Sequence, residues 1–240
     1  MRRALATPRP EAAKARKQAA KARKQATKAR KPAAKAPKPA ARAPKHRYVV
    51  ATFNRDKAAE LHALLALPGV TLVALSEWPD ATSPEEHGAT LLENARIKAR
   101  SAVATTGLPA IADDTGLEVD ALGGAPGVHA ARYAGPRASY AENVAKLLGA
   151  LAGVPAGRRT ARFRTVCVAA WPEAREASAE GVLEGVIAEA PRGSHGFGYD
   201  PVFVPSGGTR TYAELGDAEK NAISHRAMAV AALREQLRTA

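Results

Sequence analysis

Asp113 and Asp114 stand side by side behind the apolar run Ala110-Ile111-Ala112 and ahead of Thr115-Gly116. Adjacent carboxylates at the end of a buried strand sit where α/β enzymes place catalytic groups. Hard divalent cations such as Mg²⁺ take carboxylate and phosphate oxygens together. The plainer alternative is a turn capped by Asp side chains. Glu85-Glu86 and Glu93-Asn94, in the preceding segment, could add a metal ligand or simply be solvated surface.

Three other groupings carry donors or cations. Thr52-Phe53-Asn54-Arg55-Asp56-Lys57 falls between a strand pattern and a helix pattern. Such a turn offers free backbone N–H groups and a positive helix end to a phosphate, with Asn54 and Lys57 as further donors. It has too little glycine for a Walker loop, and a plain helix cap with a solvated Lys57 would give the same pattern. Gly196-Phe197-Gly198-Tyr199-Asp200-Pro201 sets two aromatics among glycines, either to stack on a flat ligand or to bury both rings in a structural turn. Lys220 precedes Ser224-His225-Arg226, so one stretch could present three cationic or donor groups to one ligand.

These groups need elements to hold them. Tyr48 to Phe53 predicts a first strand, Asp56 to Leu67 a helix stopped by Pro68-Gly69, and Val70 to Leu75 a second strand. Thr90 to Val103 predicts a helix with Leu91, Leu92, Ala95 and Ala99 on one face, broken by Gly107-Leu108-Pro109. Ala110 to Ala112 predicts a short strand ending in the Asp pair, and Ser139 to Leu151 a helix after a glycine-rich loop. Residues 160–170 alternate as a half-buried strand does; Gly181 to Ile187 and Pro201 to Val204 predict two more, and Asp217 to Leu237 a closing helix. Strands alternate with helices and then run together, which predicts a mixed α/β or α+β sheet.

Charge divides the 240-residue chain. Residues 1–47 hold 17 Lys/Arg and one acid, a net of +16, while residues 48–240 have a net of −3. The division predicts a basic tail, 1–47, and one domain, 48–240. Residues 12–46 are five seven-residue units built on Ala, Lys, Arg and Pro. Alanine buries too little to drive a coiled coil, and the prolines and like charges predict a disordered arm. Its composition fits a polyanion-binding arm resembling linker-histone tails, a solubilising extension, or a transit peptide that departs from type in lacking serine. A single cysteine, Cys167 in an apolar run, excludes an internal disulfide framework and a Cys-rich zinc site, and fits a reducing, cytoplasmic compartment. No apolar stretch is long enough to suggest a membrane span.

The pieces TFNRDK, EEHGATLLENARIKA, AIADDTGLEVDALGGAPGVHAARYAG, GFGYDPVF and AEKNAISHRAMA occur in this order. Together they resemble the inosine triphosphate pyrophosphatase family, from about Tyr48 to Leu237. The resemblance implies a mixed α/β fold of two lobes with a nucleotide in the cleft between them, a homodimer, a Mg²⁺ requirement, and hydrolysis of dITP, ITP and XTP to the monophosphate and pyrophosphate. It implies that Thr52, Phe53, Asn54, Arg55, Asp56 and Lys57 hold phosphates, and that Asp114 is general base and metal ligand supported by Asp113. Glu86 would be the further metal ligand, with Glu85 the fallback. Thr115, Phe197, Gly198, Tyr199, Asp200, Lys220, His225 and Arg226 would contact the nucleotide, the last two as donors suited to a 6-oxo purine. Phe53 departs from the family's usual middle residue in the first motif, and Thr115 stands where many members have serine. The GFGYDP and SHR elements favour this group over the related septum-inhibitor-type pyrophosphatases. A different class, a DNA-associated structural protein with a decayed enzyme body, is opposed by the intact Asp113-Asp114, Lys220 and His225-Arg226 set.

Overall fold

The computed structural model describes residues 46–66 and 69–238, all of them within the compact unit Ala43–Ala240. The expected disorder of the basic tail concerns residues that lie outside that description. Among the described residues, seven strands form one mixed sheet, six of them in the order β2-β1-β3-β5-β6-β7 and β4 off that path. Strands β1 (His46–Val50), β2 (Val70–Ala74) and β3 (Ala110–Val119) run parallel, joined through α1 (Arg55–Leu64) and α2 (Leu91–Thr106). β5 (Thr160–Ala170), β6 (Glu176–Ile187) and β7 (Phe203–Pro205) continue antiparallel, and the short β4 (Pro126–Gly127) pairs with the outer end of β3. The sheet is therefore mixed, as the sequence pattern predicts.

The inner sheet has a core on each face. Ala110, Ala112, Val166 and Val168 pack under α2, while Ile111, Cys167 and Ala169 pack under α1 and the last helix, α5 (His225–Arg238). A third core gathers Phe163, Phe203, Tyr212 and Tyr199 with α3 (Tyr140–Ala150) around the far half of the sheet and forms a second lobe. Local chemistry sets the helix starts. Asn54, Thr90 and Ser139 are the N-caps of α1, α2 and α3, and Thr90 and Ser139 complete capping boxes with Glu93 and Glu142.

Three expectations change here. β3 does not end at the aspartates: it runs on to Val119 because β5 matches it residue for residue from Ala110 to Val119. Asp113 and Asp114 are thus mid-strand residues, not turn caps. The closing helix is two helices, α4 (Asp217–Ile223) and α5, because Ser224 is extended at ψ 151°. Its hydroxyl accepts from the Ala227 amide and its carbonyl from Met228, so it both ends α4 and caps α5. Finally, β1 starts at His46, which pairs with Val70, two residues before the expected domain boundary.

Candidate active site

β1 pairs with β3 only through Val49–Ala110 and Val50–Ile111. Beyond Ile111, β3 continues with β5 on one side and no β1 partner on the other. This is the carboxyl end of the parallel strands, where the chain order reverses, and open α/β sheets bind ligands there. A cleft opens at this place.

Side chains alternate across a strand, so Asp113 and Asp114 face opposite sides of the sheet. Asp113 lies fully buried on the α1–α5 face, where its Oδ2 accepts from Arg226 at 3.0 and 3.1 Å and from the Thr115 hydroxyl at 3.1 Å, with Lys57 Nζ at 3.5 Å. Burial alone would raise the Asp113 carboxyl, but Lys57, Arg226 and Lys98 dominate and hold it well below the ordinary range. Asp114 faces α2 and lines the cleft. Its Oδ1 accepts from Lys98 Nζ at 2.7 Å, and Asn94 Nδ2 reaches Oδ2 at 3.4 Å. Burial would lower Lys98; Asp114, Asp113 and Glu86 overcome it, so Lys98 is held charged. The pair therefore divides its work. Asp113 anchors cations from behind, and Asp114 presents its carboxylate to the cavity.

Glu86 also lines the cleft, with its Oε2 3.5 Å from Lys98, whereas Glu85 is exposed. Glu93 is excluded as a ligand by its capping role: it accepts from the Ala89 and Thr90 amides. Among the described residues no group of three His, Cys, Asp or Glu could hold a metal ion unaided. The donor pair Glu86 and Asp114 fits a Mg²⁺ that keeps waters and takes its other ligands from substrate phosphates.

In the first motif, two of the amides that a phosphate turn would offer are already taken. Asn54 Oδ1 takes the Asp56 and Lys57 amides at 3.0 and 3.1 Å, so those two N–H groups are capped from within. Thr52, Phe53, Asn54 and Lys57 line the cleft; Arg55 and Asp56 are exposed and do not. Lys57 is not the solvated side chain of a plain cap. It turns inward to Asp113, and burial lowers it against that carboxylate's pull. Phe53 stays 43% exposed, so its ring does not pack inward.

Phe197, Gly198, Tyr199 and Asp200 line the opposite wall with Thr115, Lys220, His225 and Arg226. Gly196 holds a positive φ of 71°, and Asp200 Oδ2 fills the space beside it to accept the Phe197 amide at 2.8 Å. Tyr199 is buried, donating its hydroxyl to the Ala130 carbonyl, so its ring is structural. Phe197 is the ring left at the surface of the wall, with Lys220 Nζ 4.8 Å from its centroid. Lys220 is itself held by Asp200 at 2.5 Å and Glu60 at 2.8 Å. Arg226 binds Asp113, Glu60 and Thr115, which engages four of its five N–H groups. His225 stacks on Phe163 at 4.5 Å, and its Nδ1 has no hydrogen-bond partner. Burial, then Arg226 and Lys220, press its pKa well below the usual value, so the ring is neutral. The three groups expected as free donors are thus two neutralised cations and a neutral imidazole.

The sequence reading missed Lys98, Glu60 and Tyr140. Lys98 follows Asn94 by four residues on α2, and Glu60 follows Lys57 by three on α1, so helical spacing was the available signal.

The match to a family model spans residues 48–236, from the first strand through the SHR helix, and its description is Ham1 family. The chain belongs to the Ham1 family. Among its Ham1 relatives, the dITP/XTP pyrophosphatase of Geobacillus kaustophilus is 52% identical over 188 residues, covering 78% of this chain and 92% of that protein. The dITP/XTP pyrophosphatase of Symbiobacterium thermophilum is 52% identical over 191 residues, covering 80% and 94%. A HAM1 protein structure from Coxiella burnetii has a TM-score of 0.73 at 43% identity, covering 81% of this chain and all of that one. The resemblance read in the motifs is borne out, and the Ham1 match leaves out the basic tail.

Proposed function

We propose that this chain hydrolyses non-canonical purine nucleoside triphosphates (dITP, ITP and XTP) to the monophosphate and pyrophosphate, clearing them from the nucleotide pool. The observation that carries the reading is the convergence of all five motif pieces on one cleft beside Asp114, in a chain whose relatives bear the name dITP/XTP pyrophosphatase. A DNA-associated structural protein with a decayed body is not favoured, since Asp113, Asp114, Lys220, His225 and Arg226 are intact and Asp114, Lys220, His225 and Arg226 line one cleft.

Asp114 orients a water toward the α-phosphorus and takes its proton, while Lys98 fixes the carboxylate. Four cations in and around the cleft (Lys57, Lys98, Lys220, Arg226) are paired with five carboxylates (Glu60, Glu86, Asp113, Asp114, Asp200), and Arg132 has no carboxylate among its partners. Little positive charge is left over for a triphosphate. This balance supports a Mg²⁺ arriving with the substrate and held by Asp114 and Glu86; when bound, it would neutralise charge developing on the leaving pyrophosphate. Phe197 stacks on the base, and His225 with the remaining Arg226 N–H reads its 6-oxo edge. A site that hydrogen-bonds an oxo group disfavours a 6-amino group in its place.

The same reading places the enzyme in the cytoplasm and, from the family resemblance, as a homodimer. Residues 1–47 serve as a nucleic-acid-binding arm, supported by their +16 charge against −3 for the body. Among the described residues no helix is long and apolar enough to cross a membrane. Pyrophosphate release from a panel of triphosphates tests the activity.

A further inference from the structure

Tyr140 is the first residue of α3, in the second lobe, yet its hydroxyl reaches the turn in front of α1. It accepts from Asn54 Nδ2 at 2.9 Å and donates to Asp56 Oδ2 at 3.2 Å. The other end of the Asn54 amide caps α1, so one side chain both fixes the helix start and binds Tyr140. The Tyr140 ring lies 5.8 Å from that of Phe197, inclined by 40°. It lines the cleft and is 41% exposed, so this contact is not part of any core. Two exposed groups tied to each other across the mouth of a binding cleft cost side-chain entropy for little gain in stability. Their value lies in what they hold in place.

We propose that Tyr140 is a substrate-positioning residue that joins the two ends of the bound nucleotide's site. Its ring extends the Phe197 wall on the base side, and its hydroxyl braces the Asn54 turn on the phosphate side. This rests on the nucleotide lying in the cleft as described above. A tyrosine suits the task because its rigid ring spans the gap at low entropic cost and its hydroxyl serves as donor and acceptor at once.

The test uses the full chain with Mg²⁺ and compares Tyr140→Phe and Tyr140→Ala. KM and kcat are measured for ITP, together with inhibition by inorganic tripolyphosphate, which has no base. Tyr140→Phe keeps the ring and loses the brace, so tripolyphosphate inhibition weakens about three-fold and the KM for ITP rises by a similar factor. Tyr140→Ala also loses the stacking surface, raising the KM for ITP about ten-fold further without further weakening tripolyphosphate. In both variants kcat and the melting temperature stay near those of the unsubstituted chain. An unchanged KM in Tyr140→Ala overturns the inference, as does a KM rise accompanied by a matching fall in melting temperature, which would make the residue a structural prop. An unsubstituted chain without ITP turnover would instead overturn the underlying reading of the cleft.

Discussion

Lys98 Nζ lies 2.7 Å from Asp114 Oδ1 and 3.5 Å from Glu86 Oε2, so one ammonium from α2 joins two of the carboxylates that line the cleft. Asp113, the immediate neighbour of Asp114, acts on Lys98 only through its charge. It lies on the other face of β3, held by Arg226 and Lys57. The two halves of the Asp-Asp motif therefore predict different variants.

Asp114→Asn keeps the fold, because the amide fits the same space, but loses the proton acceptor. Turnover should fall 10² to 10⁴-fold, about 3–5 kcal/mol of activation free energy. Lys98→Met should cut turnover as well, since it frees Asp114 and Glu86 from their shared anchor. Asp113→Asn should instead act through stability, as it leaves buried Arg226 and Lys57 short of a counter-ion, at about 3–5 kcal/mol. Steady-state kinetics and urea unfolding of the three variants separate these outcomes. An Asp114→Asn variant with near-normal turnover at saturating Mg²⁺ would move the base elsewhere.

Gly181 on β6 lets α5 approach the sheet. A Cβ there would meet the His225 carbonyl oxygen and lie 2.5 Å from the Ala229 amide, both of them backbone. Gly181→Ala must push the start of α5, and with it His225 and Arg226, away from the cleft. Expected are a loss of about 1–3 kcal/mol in stability and a marked fall in ITP turnover. Gly149, exposed in α3 with no atom near its Cβ position, is the control; Gly149→Ala should stabilise by about 0.5–1 kcal/mol. Equal stability in the two variants would show that α5 does not depend on the close approach.

Stability should also fall as pH drops below about 6.5. His225 is held neutral in the folded chain, its pKa depressed by burial and by Arg226 and Lys220. The unfolded chain binds that proton below about pH 6.5 while the folded chain does not, so ΔG of unfolding decreases as pH falls through this window. One such group costs about 1 kcal/mol between pH 6.5 and 5.5. Asp113 adds a separate loss only below about pH 4, where the unfolded carboxyl protonates and the folded one does not. Urea unfolding at pH 7.5, 6.5 and 5.5 measures the first step, and His225→Gln should flatten it. An unchanged slope in His225→Gln would assign the proton to another group.

Much of this was legible in the sequence, and the misses share a cause. The strands, the Asn54 cap and the mixed sheet follow from local periodicity and side-chain chemistry. The length of β3 did not, because Asp113, Asp114 and Gly116 lack strand propensity and are held extended by β5, a partner some 50 residues away. The break at Ser224 was hidden because the flanking residues are good helix formers; a serine three residues before Ala227 is a weak cap signal. At the site, motif reading found Asp114, Glu86, Lys57, His225 and Arg226. It could not find the buried carboxylate partners of Lys57, Lys220 and Arg226, whose identity depends on tertiary packing. Arg55 and Asp56 entered the expected site through adjacency to Asn54 and Lys57; both are exposed, and Asp56 reaches the cleft mouth only as a partner of Tyr140.

The tail should be dispensable for catalysis. A chain beginning at Ala43 retains all of β1 and should hydrolyse ITP at the full-length rate while losing nucleic-acid binding. If about eight of the 17 cations of residues 1–47 meet duplex phosphates, the slope of log K against log salt is about −7. Equal DNA binding by the shortened chain would refute the arm.

This cleft is expected to select ITP, dITP and XTP over ATP by their 6-oxo edge, to reject GTP at its 2-amino group, and to cleave at the α-phosphorus. The most direct measurement is product analysis for ITP, dITP, XTP, ATP and GTP with and without Mg²⁺. The expected result is pyrophosphate and the monophosphate as first products, with ITP, dITP and XTP far faster than ATP or GTP, and no turnover without Mg²⁺. Equal rates on ITP and ATP, or orthophosphate as the first product, would contradict it.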